Sequence, residues 1–142
     1  MKTFVYIAVA IIATILLVAS ITGRATSTEL IRVTTPVPGA LVRSPLIVSG
    51  QARGNWYFEA SFPIRLFDSE GKELAVSVVQ AQGEWMTTEF VPFEATLKFI
   101  IDKNAYSNRG FLILRKDNPS GLPEHDDALE IPIVFVEVSP KE

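Results

Sequence analysis

Apolar and polar positions alternate most sharply over residues 56–67, where Trp56, Phe58, Ala60, Phe62, Ile64 and Leu66 take every even place. Successive strand side chains point to opposite faces, so this spacing predicts one strand with a buried and a wet side. Five of the chain's fourteen aromatic residues fall in the run, which marks it as the central strand and the main supplier of core. Pro63 sits on its wet side, and because proline has no N–H a bulge or an exposed backbone position is expected there. The same reading extends along the chain. Residues 30–35 form a first strand with Ile31 and Val33 on one face and Arg32 and Thr34 on the other, stopped by Pro36-Val37-Pro38-Gly39. Residues 46–53 form a second. Asp68-Ser69-Glu70-Gly71 makes a hairpin turn into a strand alternating through Leu74, Val76 and Val78, followed by a loop over 80–84. Residues 85–93 mix aromatics and threonines until Pro92 breaks them, and residues 95–101 turn Leu97, Phe99 and Ile101 inward. After a surface connection, Phe111-Leu112-Ile113-Leu114 is apolar on both faces, as suits the middle of a sheet, and Leu129, Ile131, Ile133 and Phe135 line a last strand. Seven or so short strands with Gly/Pro turns and no helical period predict an antiparallel β-sandwich.

One stretch does not fit that pattern. Residues 4–21 are apolar apart from Thr14 and Ser20, with Lys2 before them and Arg24 after. At about 1.5 Å per residue the run approaches a ~30 Å hydrocarbon core and exceeds the h-region of a signal peptide. A retained single-pass helix with a cytoplasmic N-terminus and an extracytoplasmic domain is the expectation. Its alternative is secretion after cleavage near Ser20, since Val18-Ala19-Ser20 offers small residues.

Composition narrows the remaining possibilities. The chain has 142 residues, room for one domain of about a hundred residues beyond the N-terminal segment. It has no cysteine, which excludes disulfides, thiolate zinc sites and a lipid-modified cysteine. Setting aside Lys2 and Arg24 leaves eleven basic and sixteen acidic residues, a net charge of −5 that argues against nucleic acid.

The runs Val42-Arg43-Ser44-Pro45-Leu46-Ile47-Val48-Ser49-Gly50-Gln51-Ala52, Asn55-Trp56-Tyr57-Phe58-Glu59-Ala60, Gly83-Glu84-Trp85-Met86-Thr87 and Lys116-Asp117-Asn118-Pro119-Ser120-Gly121 resemble the immunoglobulin-like domain associated with bacterial spore germination proteins. The resemblance implies an immunoglobulin-like sandwich in a bacterial envelope or cell-surface protein, without catalysis. Together the readings give an all-β, immunoglobulin-like antiparallel β-sandwich preceded by one N-terminal transmembrane helix. Residues 1–24 are then the membrane anchor or signal segment, 25–29 a tether, 30–138 the sandwich and 139–142 a tail. Trp56 has no cysteine pair to pack on, unlike its counterpart in antibody domains.

Candidate chemistry concentrates in residues 117–127. Asp117, Glu124, Asp126 and Asp127 are hard oxygen donors of the kind Ca²⁺ takes, though their spacing matches no EF-hand, and turn capping with solvated acids is the plainer reading. His125, the one histidine, lies near Ser120, but there is no nucleophile elbow, so no catalytic residue and no cofactor is expected. Asn118-Pro119-Ser120 is no glycosylation acceptor because proline holds the middle place. Glu59 is expected on the wet face near Arg65. Trp85 and Met86 with Tyr57 and Phe90 are candidates for an aromatic platform, against the alternative that they fill the core. The expected role is a non-catalytic module in an envelope assembly. Its partner is an envelope protein meeting Asp117, Asn118, Ser120, Glu124, His125, Asp126, Asp127 and Trp85, or alternatively a cell-wall glycan on exposed aromatics that include Trp56.

Overall fold

The computed structural model describes residues 29–136; the expected anchor, all of the tether but Glu29, and residues 137–142 lie outside the described residues. Among the described residues no helix is long and apolar enough to cross a membrane. Eight strands follow one another: β1 (Ile31–Thr35), β2 (Ala40–Val42), β3 (Leu46–Arg53), β4 (Ser61–Asp68), β5 (Glu73–Ala81), β6 (Phe90–Leu97), β7 (Arg109–Arg115) and β8 (Ala128–Phe135). Short 3-10 turns at Gly54–Trp56 and Pro123–His125 interrupt the connections.

All eight strands belong to one hydrogen-bonded sheet in the order β1-β3-β6-β5-β4-β7-β8-β2. Every pairing is antiparallel except that of β2 with β8. At one corner the sheet is thin. There β5 meets β6 only through Gln80 opposite Glu94 and Ala81 opposite Phe93. The sheet curls at this corner, so that β1-β3-β6 faces β5-β4-β7-β8-β2 across a single core, as the sandwich expectation requires. Phe62 of β4 meets Phe93 of β6 edge-on with ring centroids 5.2 Å apart, and Trp56 meets Phe62 at 6.3 Å. The Tyr57 hydroxyl crosses to donate to the Val91 carbonyl at 2.8 Å.

The central strand is shorter than its alternation predicts. It begins at Ser61, not Trp56, because the chain reverses at Glu59-Ala60, both with positive φ (50° and 62°). Phe58 and Ser61 exchange backbone hydrogen bonds of 2.9 and 3.0 Å across that two-residue turn. Glu59 therefore stands at a turn tip instead of on a strand face, and Arg65 pairs with Glu73 at 2.6 Å. Pro63 produces no bulge. Its missing N–H falls just where the ladder to β7 ends, since that ladder starts at Ile64 opposite Leu114. In β5 the inward residue is Val79, while Val76 and Val78 face out, because a register shift opposite Leu66/Phe67 leaves Leu74 as the extra residue and reverses the alternation. Pro92 lies inside β6 rather than ending a strand. Its carbonyl accepts Gln82 N–H at 2.8 Å, and its ring is exposed, so the missing donor is at an edge.

The remaining strands follow the pattern closely. Ile31 and Val33, the even residues 46, 48, 50 and 52 of β3, Leu97 and Phe99, and Leu129, Ile131, Ile133 and Phe135 of β8 are buried, while Ile101 is half-buried. The three residues of β2 are too few to show a period, and only their parallel pairing to β8 makes them a strand.

Candidate partner-binding pole

The chain enters the domain at Glu29–Leu30, and the residues singled out from sequence lie at that same end. The Arg53 N–H donates to the Leu30 carbonyl at 2.7 Å, Gly54 N–H to Glu89 at 3.3 Å, and Asp117 N–H to Trp56 at 3.1 Å. Three connections thus meet beside the entry point: residues 54–60, residues 82–89 and residues 116–127. Gly54 is fixed by close approach, because a Cβ there would collide with the carbonyls of Trp85 and Thr87.

The loop over 116–127 is folded upon itself. The Asn118 amide donates to the Leu122 carbonyl at 2.8 Å and to the Asp126 carboxylate at 2.9 Å. Ser120 Oγ donates to Asn118 Oδ1 at 2.5 Å and accepts Leu122 N–H at 3.2 Å. Lys116 Nζ donates to the His125 carbonyl at 2.9 Å, Arg115 lies 3.6 Å from Asp126, and Asp127 Oδ1 accepts Ala128 N–H at 2.8 Å. These bonds hold the loop's shape while leaving Ser120, Glu124, His125 and Asp126 exposed and Asp117, Asn118 and Asp127 half-buried.

Among the described residues no group of three or more His, Asp or Glu side chains is placed to hold a metal ion. The fold brings Asp126 to Asn118 and Arg115 and does not gather Asp117, Glu124 and Asp127 around it. The Ser120 hydroxyl is engaged by Asn118 and the Leu122 backbone, so the geometry does not build the nucleophile-and-base pair that hydrolysis needs.

Nor does an aromatic platform form from the expected residues. Trp56 is fully buried and Tyr57 3% exposed, while Trp85 packs partly against the core. Burial pushes the Tyr57 phenol well above its ordinary range, opposed only by a hydrogen bond from the Ala52 backbone. Phe90 is covered by two guanidinium groups, with Arg32 4.0 Å and Arg53 4.1 Å from its ring centroid. These residues are core and edge filling, for the reason that a hundred-residue sandwich draws its stability from its large side chains.

Sequence reasoning missed the apolar tips at this pole. Phe58 and Leu122 are exposed there, and Met86, the one expected platform residue that is largely exposed, lies at the same end, near the acids Glu84, Glu89, Glu124 and Asp126 in the sequence. Their positions in turns carry no periodic signal. At the opposite pole, Ile100 and Tyr106 project from the β6–β7 connection at 88% and 93% exposure, Ile100 from the end of the strand expected over 95–101 and Tyr106 from the surface connection after it.

The four motif runs prove to be architectural. Ser44 Oγ accepts Phe99 N–H at 3.0 Å, tying the start of β3 to the end of β6. A Cβ on Gly50 would strike the Arg32 carbonyl and come within 3.0 Å of the Phe93 ring, so β1 can lie against β3 only with glycine there. Ala52 is fully buried. The run at 116–121 folds the loop described above, and the runs at 55–60 and 83–87 form the turns that Asp117 and Gly54 join.

Comparison with known proteins agrees with this geometry. Residues 30–121 match the family described as the immunoglobulin-like domain of bacterial spore germination, a span from the entry of β1 into the 116–127 loop. No curated protein matches the chain, and no solved structure does. Since the match covers well over half of the sequence, the chain belongs to the family of immunoglobulin-like domains of bacterial spore germination.

Proposed function

We propose that this protein is a non-catalytic module held at a bacterial membrane by residues 4–21, with its immunoglobulin-like domain extracytoplasmic and its acidic pole docking a membrane-embedded envelope protein. The single observation that carries the reading is positional: the domain is entered at the same pole that bears Asp117, Asn118, Ser120, Glu124, His125, Asp126, Asp127 and the half-buried Trp85. Residues 22–28 span at most about 25 Å when extended. An anchor ending at residue 21 keeps that pole close to the bilayer, within reach of juxtamembrane segments of another protein. A rigid scaffold displaying a self-braced loop is the usual arrangement for recognition. The acids at the pole suit a partner with basic residues near its membrane boundary.

The test is site-specific photo-crosslinking in native membranes with the full chain. A crosslinker at Glu124 is expected to capture an integral membrane protein and one at Tyr106, at the far pole, is not. Capture from Tyr106 alone, or release of the domain into the medium with an N-terminus near Ile21, refutes the reading.

A further inference from the structure

The edges of this sheet are not treated alike. β1 is five residues long, bulged between Val33 and Thr35 and followed by Pro36; β2 is three residues long and preceded by Pro38-Gly39. Short length, bulges and proline are the usual protections of an exposed edge. β5 has only the extra residue Leu74 near its start, and from Ala75 to Val79 it has none of them. It runs nine residues, pairs with β4 throughout, and meets β6 only at Gln80 and Ala81. Among the described residues nothing pairs with its other edge from Ala75 to Val79.

The direction of the free backbone groups follows from two hydrogen bonds. Ala81 N–H donates to the Ala60 carbonyl at 2.8 Å, on the β4 side, and Gln82 N–H to Pro92 at 2.8 Å, on the β6 side. Alternation then turns the N–H and C=O of Val76 and Val78 to the open edge. Their side chains stand on the outer face at 54% and 53% exposure. From Leu74 to Ala81 there is no charged residue, no proline and no glycine.

We propose that β5 is a homodimerisation edge, on which a second copy of this chain pairs its own β5 antiparallel about a two-fold axis through Ser77. Ser77 is the midpoint of the regular free stretch, between the extra residue Leu74 and the β6 contact at Gln80. In that register Val76 lies opposite Val78 of the second copy and the reverse, each a hydrogen-bonded pair, with the four valines in one outer-face cluster. Ala75 lies opposite Val79 of the second copy. The occupant is a second copy because the edge can meet itself about a two-fold axis without setting like charges against each other. A charged residue close to a two-fold axis meets its own like charge in the second copy. Here the stretch from Ala75 to Val79 carries no charge, and the flanking Arg65, opposite Val76 on β4, is already paired with Glu73 at 2.6 Å.

The absence of cysteine makes the register directly testable in the full-length protein in detergent micelles. In a non-hydrogen-bonded antiparallel pair Cα atoms are about 4.5 Å apart, within the roughly 4.4–6.8 Å that a disulfide spans. Ser77→Cys is therefore expected to give covalent dimers on mild oxidation, and Leu41→Cys, 73% exposed on β2, is not. Adding Val76→Lys, a change on an exposed face that leaves the core intact, lowers the Ser77→Cys crosslinking by at least about tenfold. Unmodified protein sediments as a dimer. Equal crosslinking of Leu41→Cys and Ser77→Cys, sedimentation as single copies, or crosslinking of Ser77→Cys in native membranes to a different protein overturns the proposal.

Discussion

Replacing Phe62 with alanine removes the side chain that ties the two halves of the curled sheet together. Phe62 is fully buried on β4, and its ring meets Trp56 from the 3-10 turn, Tyr57 beside it and Phe93 from β6, at centroid distances of 6.3, 5.2 and 5.2 Å. Two contributions add. Truncation of a buried phenylalanine loses its transfer free energy and leaves a cavity, together about 3–5 kcal/mol. That range includes the aromatic geometry, since each favourable ring pair is worth about 0.5–1.5 kcal/mol beyond area and three are lost. Against a total stability of about 5–15 kcal/mol for a domain of this size, the variant stays folded but loses a large share of its margin. Unfolding in urea, followed through tryptophan fluorescence, is a suitable assay because Trp56 lies in direct contact with the deleted ring. The midpoint falls markedly, with the slope unchanged. Phe58→Ala, at a 40% exposed turn position immediately before the reversal at Glu59-Ala60, lowers stability by no more than about 0.5 kcal/mol. A loss below about 1 kcal/mol for Phe62→Ala, or equal losses for Phe58 and Phe62, would refute the argument that Phe62 bridges the sheets and that Phe58 lies outside the strand.

Two further consequences concern Tyr57 and Asn118. The Tyr57 phenol is raised by burial, so the folded state keeps its proton while the unfolded chain releases it above about pH 10; stability is therefore full below that pH and falls above it by up to about 1.4 kcal/mol per pH unit. Denaturation curves measured from pH 8 to 11 for the native protein and Tyr57→Phe check this, the variant lacking that component of the slope while losing about 1 kcal/mol at neutral pH for the missing bond to Val91. Asn118→Ala removes the amide that holds Leu122 and Asp126 and is expected to speed proteolysis within residues 116–127 severalfold while leaving the core's hydrogen-exchange protection unchanged. Uniform loss of protection across β7 and β8 would show that the loop is not an independent unit.

The sequence by itself determined which residues could be buried, because strand geometry sends alternate side chains to opposite faces and leaves that record in Ile31 and Val33, in β3, in Leu97 and Phe99, and in β8. It also marked the turn at 68–71 and the middle position of Phe111–Leu114, since these depend on local backbone freedom or on burial of both faces. Wherever a single residue changed phase, alternation lost its meaning. The reversal at Glu59-Ala60 put Trp56 and Phe62 on different segments that still pack together, and the extra residue at Leu74 turned Val76 and Val78 outward. Neither shift leaves a sequence signal, because glutamate and alanine in left-handed backbone are stabilised by the flanking ladder and not by their own preferences. The site followed the same division. The acidic loop was legible as a loop, but only tertiary structure decided that Asn118 braces it, that Trp56 and Tyr57 are core, and that the loop shares a pole with the entry of the chain. Which strands become edges, and hence that β5 is left open, is likewise a property of the closed sheet: backbone N–H and C=O groups look alike in every residue until their partners are in place.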